Sequence, residues 1–447
     1  MSEHTPSVSP PAADASSDAS PDASRLAANL FRRESARLVS VLTRAFGVDR
    51  LDLAEDVVQE ALVRALQTWP YYGVPDNPVA WVTRTAHNLA LDALRRETFF
   101  RDRRREIADF LDRWAARADA APAGGAAAAE DEIEDARLRL MFVCCHPLVP
   151  ADAQAALALK TLCGFGVAEI ASAFLSTEAA VLKRLTRARQ RIRELNIPFE
   201  IPSGGELSPR LDGVLQTLYL LFNEGYKASR GDSLIREDLC NEAIRLAALL
   251  ASHPAGDTPR THALLALMLL NGSRLAARVD DAGNILRLRH QDRSRWDRGM
   301  IARGMMHLAR SAEGGDLSEY HLHAGISALH ATAADDASTD WPRILSLYDR
   351  WRTINPSPVI ALNRAVAVAN VRGPKAGLDA LESIPNRAAL EGYYLLHAVT
   401  AEFEVRLGHF DAAARCLRRA LELAELKSEQ AFLAERLREC EAASAVT

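Results

Sequence analysis

Between Asp52 and Trp69, apolar Val58, Leu62, Ala65 and Trp69 recur at steps of three and four residues. Asp52, Glu55, Asp56, Gln59 and Glu60 fall on the other side. This is the period of an amphipathic helix. The stretch Pro70-Tyr-Tyr-Gly-Val-Pro-Asp-Asn-Pro78 is expected to break it, and a second amphipathic helix is expected over 79–96. The helical pattern runs from Leu26 to about Arg105. A second compact helical unit spans 136–198, closed by Pro198, Pro202 and Gly204-Gly205. From about Leu211 to Glu441 helix follows helix, punctuated by turn signals such as Gly314-Gly315 and Asn355-Pro356. No alternating strand pattern is present, so the expected fold class is all-α.

The last part repeats itself. Leu362–Gly373 lines up with Leu396–Gly408, and Gly373 and Gly408 are 35 apart. That is close to the ~34-residue period of tetratricopeptide (TPR) repeats. In the second copy, small Ala413 and Ala420 would let two helices approach closely.

Length and composition then sharpen the division. A chain of 447 residues suggests two to four domains with ample core material. Residues 1–24 hold four prolines, seven serines, four acids and no Lys or Arg, and read as a disordered tail. Residues 115–129 contain ten alanines, two glycines and a proline, and Glu130-Asp-Glu-Ile-Glu-Asp135 follows. Alanine favours helix but supplies little to pack, so a flexible or weakly helical linker over 111–134 is expected. Five segments result: tail 1–24, helical unit 25–110, linker 111–134, helical unit 135–198, and extension 199–447. The net charge of −5 excludes a uniformly basic nucleic-acid coat, but residues 25–105 and 135–198 each carry +4. Six scattered cysteines imply no disulfide framework, and no apolar run approaches the ~20 residues of a bilayer span. A cytoplasmic protein is expected, with no membrane partner.

The sharpest chemical signal is a helix-turn-helix pattern. Residues 167–174 make a short first helix, and Leu175-Ser-Thr177 a turn with Ser176 or Thr177 as N-cap. In the second helix, Val181, Leu185, Ala188 and Ile192 form the inward stripe. Lys183, Arg184, Arg187, Arg189, Arg191 and Arg193 occupy the rest. A recognition helix needs this division, with apolar contacts fixing its angle while cations meet phosphates and base edges. The second signal is the helix over 79–96, with Trp81, Arg84, His87, Asn88, Arg95 and Arg96. Its aromatic and polar groups suit bases leaving the stack, while the acidic face before it suits a basic protein partner.

Other clusters carry less. Cys144-Cys145-His146 with Cys163 lacks metal-ligand spacing and reads as packed thiols. His321, His323 and His330 read as structural. Asp292, Arg293, Arg295, Trp296 and Asp297 read as a buried, salt-bridged helix junction. No phosphate loop, nucleophile elbow or paired-carboxylate motif supports an enzyme, and no cofactor or metal is expected.

Ala54-Glu-Asp-Val-Val-Gln-Glu-Ala, followed by Asn77-Pro-Val-Ala-Trp-Val-Thr-Arg-Thr-Ala-His-Asn-Leu-Ala-Leu-Asp-Ala-Leu-Arg-Arg96, resembles region 2 of bacterial RNA polymerase sigma factors of the extracytoplasmic-function (ECF) type. Gly164–Ala171, followed by Lys183–Arg189, resembles their region 4. Leu218–Tyr226, Gln291–Asp297 and Ser357–Val366 resemble the TPR-like C-terminal extension of one ECF group. The resemblance implies an all-α sigma factor that binds core RNA polymerase through the β′ clamp helices and the β flap, and promoter DNA. It implies that Asp52, Glu55, Asp56, Gln59 and Glu60 dock on the clamp helices. Trp81, Arg84, Asn88 and Arg95 would meet the minus-ten element, with Asn88 capturing a flipped base. Lys183, Arg184, Arg187 and Arg189 would meet the minus-thirty-five element. Thr177 stands where many members have proline. The appended module, without catalytic signature, would regulate the sigma domains in cis and take a protein or peptide ligand. The alternative from the residues alone is a helix-turn-helix regulator with a TPR sensor that is not a polymerase subunit.

Overall fold

The computed structural model describes residues 21–96, 100–120, 127–173, 176–227, 235–280 and 286–444. The first helix, α1 (Pro21–Phe46), is apolar nearly all round in its second half. Of residues 38–46, all but Arg44 are buried. A helix of that kind must be surrounded, and α1 packs against α2 (Leu51–Tyr72), α3 (Pro78–Arg96) and α4 (Arg104–Ala120), and also against α5 (Ala127–Cys144) and α6 (Ala151–Cys163). It therefore serves both of the units expected from the sequence.

The expected stripe of α2 is inward, with Val58, Leu62, Ala65 and Trp69 all buried. Pro70 does not break this helix, which runs on to Tyr72 and ends where the Gly73 N–H bonds Trp69 O at 3.0 Å, with φ +81°. A proline this close to the end costs little, because it removes only one late backbone bond. Gly73 then adopts the left-handed turn that other residues resist. The expected linker also differs. Residues 111–120 complete α4 and 127–134 open α5, because alanine-rich sequence propagates helix readily where one end is anchored in a core. Pro122 and Gly124-Gly125 lie outside the described residues, as does the tail up to Ala19-Ser20; α1 begins at Pro21, within the segment expected to be disordered.

After α6, short α7 (Val167–Ala173) precedes α8 (Glu178–Leu195). The chain then builds a succession of helices, in which α9 (Leu207–Tyr226) packs on α6 and α5 and each later one packs on its predecessor: α10 (Glu237–Ser252), α11 (Pro259–Gly272), α12 (Arg298–Ser311), α13 (Glu319–Thr332), α14 (Trp341–Ile354), α15 (Pro358–Arg372), α16 (Pro374–Glu382), α17 (Tyr394–Arg406), α18 (Phe410–Leu423) and α19 (Lys427–Ser444). No strand occurs among the described residues; the fold is all-α. The repeat read from the sequence coincides with two successive hairpins, α15–α16 and α17–α18. Gly373 and Gly408 sit at their corresponding corners with φ +92° and +80°. Ala413 and Ala420 are fully buried.

The extension does not hang free. One continuous apolar core runs from Leu38 through α5, α6 and α8 into α9, α10, α11 and Ala324 of α13. At the seam, Gly213 of α9 lies so close to α5 and α6 that an added Cβ would overlap Gln154 Oε1 and approach Cys145 Cβ to 3.1 Å. Arg236 completes the seam, 2.8 Å from Glu169 of α7 and over the Phe165 ring at 5.5 Å.

Candidate nucleic-acid interface

Asn77 starts α3 by accepting the Ala80 N–H at 3.0 Å. Val82, Ala86, Leu89, Ala90, Ala93 and Leu94 turn inward. That leaves Arg84, Asn88 and Arg95 exposed at relative positions 0, 4 and 11, which fall on one helical face. Asp92 stands among them, 3.1 Å from Arg95. The Asn88 amide is oriented rather than loose: His87 Nδ1 lies 3.2 Å from its Oδ1, and His87 Nε2 is anchored 2.8 Å from Asp112 of α4. Trp81, grouped with these residues by the sequence, is half-buried and edge-on to Trp69, with ring centroids 5.8 Å apart. It fixes the start of α3 against the end of α2. At that junction Tyr71 and Tyr72 are 84% and 87% exposed. They lie in the Pro70–Pro78 stretch that the sequence pattern marks only as a helix break. An aromatic pair in a loop with no core to enter is the signal that could have found them.

Thr177 caps α8, its hydroxyl accepting the Ala180 N–H at 3.2 Å. Val181, Leu185, Ala188 and Ile192 are buried as the pattern requires. Lys183, Arg187 and Arg191 are exposed, and Arg184 is half-buried. Arg189 turns toward α2 instead. Its Nη2 lies 2.5 Å from Glu55 Oε2, and Glu55 Oε1 accepts the Thr161 hydroxyl at 2.8 Å. One turn further on, Arg193 lies 3.4 Å from Asp52. Two residue sets assigned to different interfaces are thus partly joined. Asp56, Gln59 and Glu60 stay exposed, with Glu60 bonded to Arg64 at 2.9 Å. The Arg189–Glu55 pair retains only 22% and 15% of its side-chain exposure. With its third partner it has the character of a charge-assisted network worth about 1.5–3 kcal/mol. The half-exposed Arg193–Asp52 pair contributes about 0–1 kcal/mol.

The remaining clusters have structural roles. Cys144, Cys145 and Cys163 are buried free thiols, and burial pushes the Cys145 thiol up to about 12. Among the described residues no group of His, Cys, Asp or Glu is arranged to hold a metal. His321 forms a capping box with Ser318 at the start of α13, and His323 packs against Trp351 and Tyr219. The 292–297 cluster is a junction, but not a buried, salt-bridged one: only Trp296 is buried, Asp292, Arg295 and Asp297 are exposed, and among the described residues caps and arginine–carbonyl bonds hold it. Asp297 caps α12, and Arg293 donates to His330 O and Ala333 O at 2.7 Å while covering buried Trp296. No described helix is long and apolar enough to cross a membrane.

Comparison with known proteins fits this geometry. Sigma-70 region 2 matches residues 30–100, which hold the acidic face of α2 and the polar face of α3. A family of unknown function, DUF6596, matches 210–312, from α9 through α12. Over 140 residues the chain is 34% identical to the probable RNA polymerase sigma factor RfaY of Xanthomonas campestris pv. campestris, covering 31% of this chain and 33% of that one. No solved structure gives a significant match. An all-α chain with this domain and this likeness supports a sigma-factor role. The chain belongs to the family of the uncharacterized protein R00370 of Rhizobium meliloti (strain 1021), to which it is 39% identical over 414 residues, 89% of this chain and 93% of that protein.

Proposed function

We propose that this chain is an ECF-type sigma factor whose TPR-like extension controls it in cis. The exposed Arg84–Asn88–Arg95 face of α3 meets the opened minus-ten element, with Trp81 holding the helix at its angle and Tyr71 and Tyr72 offering stacking surfaces beside it. Lys183, Arg184, Arg187 and Arg189 of α8, the second helix of a helix-turn-helix, meet the minus-thirty-five element. Asp52, Glu55, Asp56, Gln59 and Glu60 dock on the β′ clamp helices, while the 135–198 unit seats on the β flap. Two weak DNA contacts tethered to one polymerase reinforce each other through effective concentration.

The observation that carries the control is the Glu55–Arg189 pair. While it holds, the polymerase face lacks Glu55 and the DNA face lacks Arg189. Productive assembly therefore requires α8 to leave α2. The extension, sharing the core of α5 and α6, is placed to bias that step. A protein or peptide regulator bound by it would act through the same route.

Run-off transcription with purified core polymerase on a promoter library tests the reading. Promoter-specific products that appear only with both core and this protein are expected. Promoter binding without core, and no product with it, would instead mark a helix-turn-helix regulator.

A further inference from the structure

A cavity of about 400 Å³ opens between the 287–289 turn, α15, α17 and α19. Its volume falls within the range of small-molecule sites. One wall is apolar, formed by Trp341, Val399 and Phe432 among others. The other is dense in cations. Glu402 Oε2 takes Arg287 at 2.7 Å and Arg436 at 3.3 Å, and its Oε1 takes Arg289 at 3.0 Å. Three guanidiniums thus converge on one carboxylate. A fourth, that of Arg406, donates at 3.1 Å to the neutral Ala369 carbonyl. The other lining carboxylates do not cancel this excess. Glu429 is occupied by Lys227 at 2.7 Å and by the Tyr394 hydroxyl at 2.5 Å, which leaves Asp336. Arg436 also reaches Glu439, at 2.5 Å. Arg287 lies against the Phe432 ring, 5.4 Å from its centroid, and its buried Nε has no hydrogen-bond partner among the described residues. Burial lowers its pKa, so the charged form is short of solvation where the apolar wall meets the cationic one.

We infer that this cavity binds a small amphipathic carboxylate, its anionic head on the Arg287–Arg289 edge and its apolar body against Trp341, Val399 and Phe432. The inference deepens the reading of the extension as a regulatory module by naming what it takes. Binding itself needs neither polymerase nor DNA. A route from the cavity toward the sigma units exists, because Glu429 and Tyr394 in its wall hold Lys227 directly after α9.

Decanoate is the probe, titrated into the full chain by calorimetry. Decylamine serves as the cationic control, and a short apolar peptide with a free or amidated C-terminus as the second carboxylate source. Saturable 1:1 decanoate binding is expected. Arg289→Gln, at a partly exposed side chain, should weaken it about tenfold, the value of one charge-assisted hydrogen bond. Ala398→Phe, which fills the cavity, should abolish it, with circular dichroism checking that both variants keep the fold. Decylamine should not bind. Tighter binding of the free-acid peptide than of decanoate would assign the carboxylate to a chain terminus; the reverse order would assign it to a free acid. No decanoate binding, equal binding of decylamine, or binding untouched by both substitutions would overturn the site. Each of these results leaves the run-off transcription test of the sigma reading unaffected.

Discussion

Glu55 and Arg189 are 134 positions apart, and neither changes the periodicity of its own helix. Each belongs to the polar side of an amphipathic stripe, and that side was readable because burial of Val58 and Leu62, or of Leu185 and Ala188, leaves it nowhere else to point. Their pairing was not readable. A helical period fixes which face is outward; it does not say which other face will cover it. The pairing makes a direct prediction. Glu55→Gln keeps the shape but removes the charge that holds Arg189, so α8 regains a cation for phosphate. Free-protein affinity for a minus-thirty-five duplex should rise by about tenfold, and the log-log salt slope should steepen by about 0.9, one phosphate contact. Fluorescence anisotropy across a salt series measures both, and an unchanged slope would place Arg189 outside the DNA interface. Tyr71 and Tyr72 give a second residue-scale expectation. Replacing both with alanine should leave thermal stability unchanged, because they bury almost nothing, yet weaken binding to a single-stranded minus-ten oligonucleotide by about 1–3 kcal/mol per stacked base. Equal affinity would show that they do not stack.

At the scale of elements, sequence period located the helices well and their ends less well. The α8 start fell where its cap residue predicted, since Thr177 satisfies an otherwise orphaned N–H. The end of α2 did not, because proline punctuates a helix only where the chain is free to leave it. Here Trp69, packed on Trp81, holds the last turn in place. The alanine-rich end of α4 (111–120) and start of α5 (127–134) show the same principle: propensity alone reads as weak helix, and packing of α4 and α5 on α1 decides it. Helix α13 carries a consequence for pH. Burial first, and the Arg274 charge second, lower the pKa of both His323 and His330 to about 4. An unfolded histidine titrates near 6.5, so between about pH 6.5 and 4 the unfolded chain binds more protons than the folded one. Stability is therefore complete above that window and falls as pH drops through it. Urea melts at pH 7.5 and pH 5 should give a lower midpoint at pH 5, and His323→Phe, which cannot take up a proton, should shrink the difference. A difference that survives intact in that variant would assign the dependence to other groups.

At the scale of the whole molecule, the sequence pattern sets an extension apart from two N-terminal helical units after about residue 198, and in the structure that junction is a shared core rather than a linker. Leu211, Val214, Leu215 and Leu218 of α9 are buried in the same core as Leu138, Met141 and Leu157. Each side chain uncovered there would forfeit about 1.5–3 kcal/mol. A chain cut after Ser203 should therefore aggregate or melt early rather than behave as a liberated sigma fragment, and loss of transcription by it would say nothing about regulation. The seam has to be loosened without being stripped. Gly213 offers that means, because only the absence of a side chain lets α9 lie on Gln154 and Cys145. Gly213→Val should force α9 outward by the width of a methyl group or two, at about 1–3 kcal/mol of stability, the usual cost of overpacking. If the extension holds α8 against α2 through this core, the variant should gain free-protein DNA affinity in the same direction as Glu55→Gln, and the double variant should gain little more than either one, since both release one closed state. Full additivity of the two gains would mean that the seam and the Glu55–Arg189 pair report separate events, and that the extension acts on something other than the position of α8.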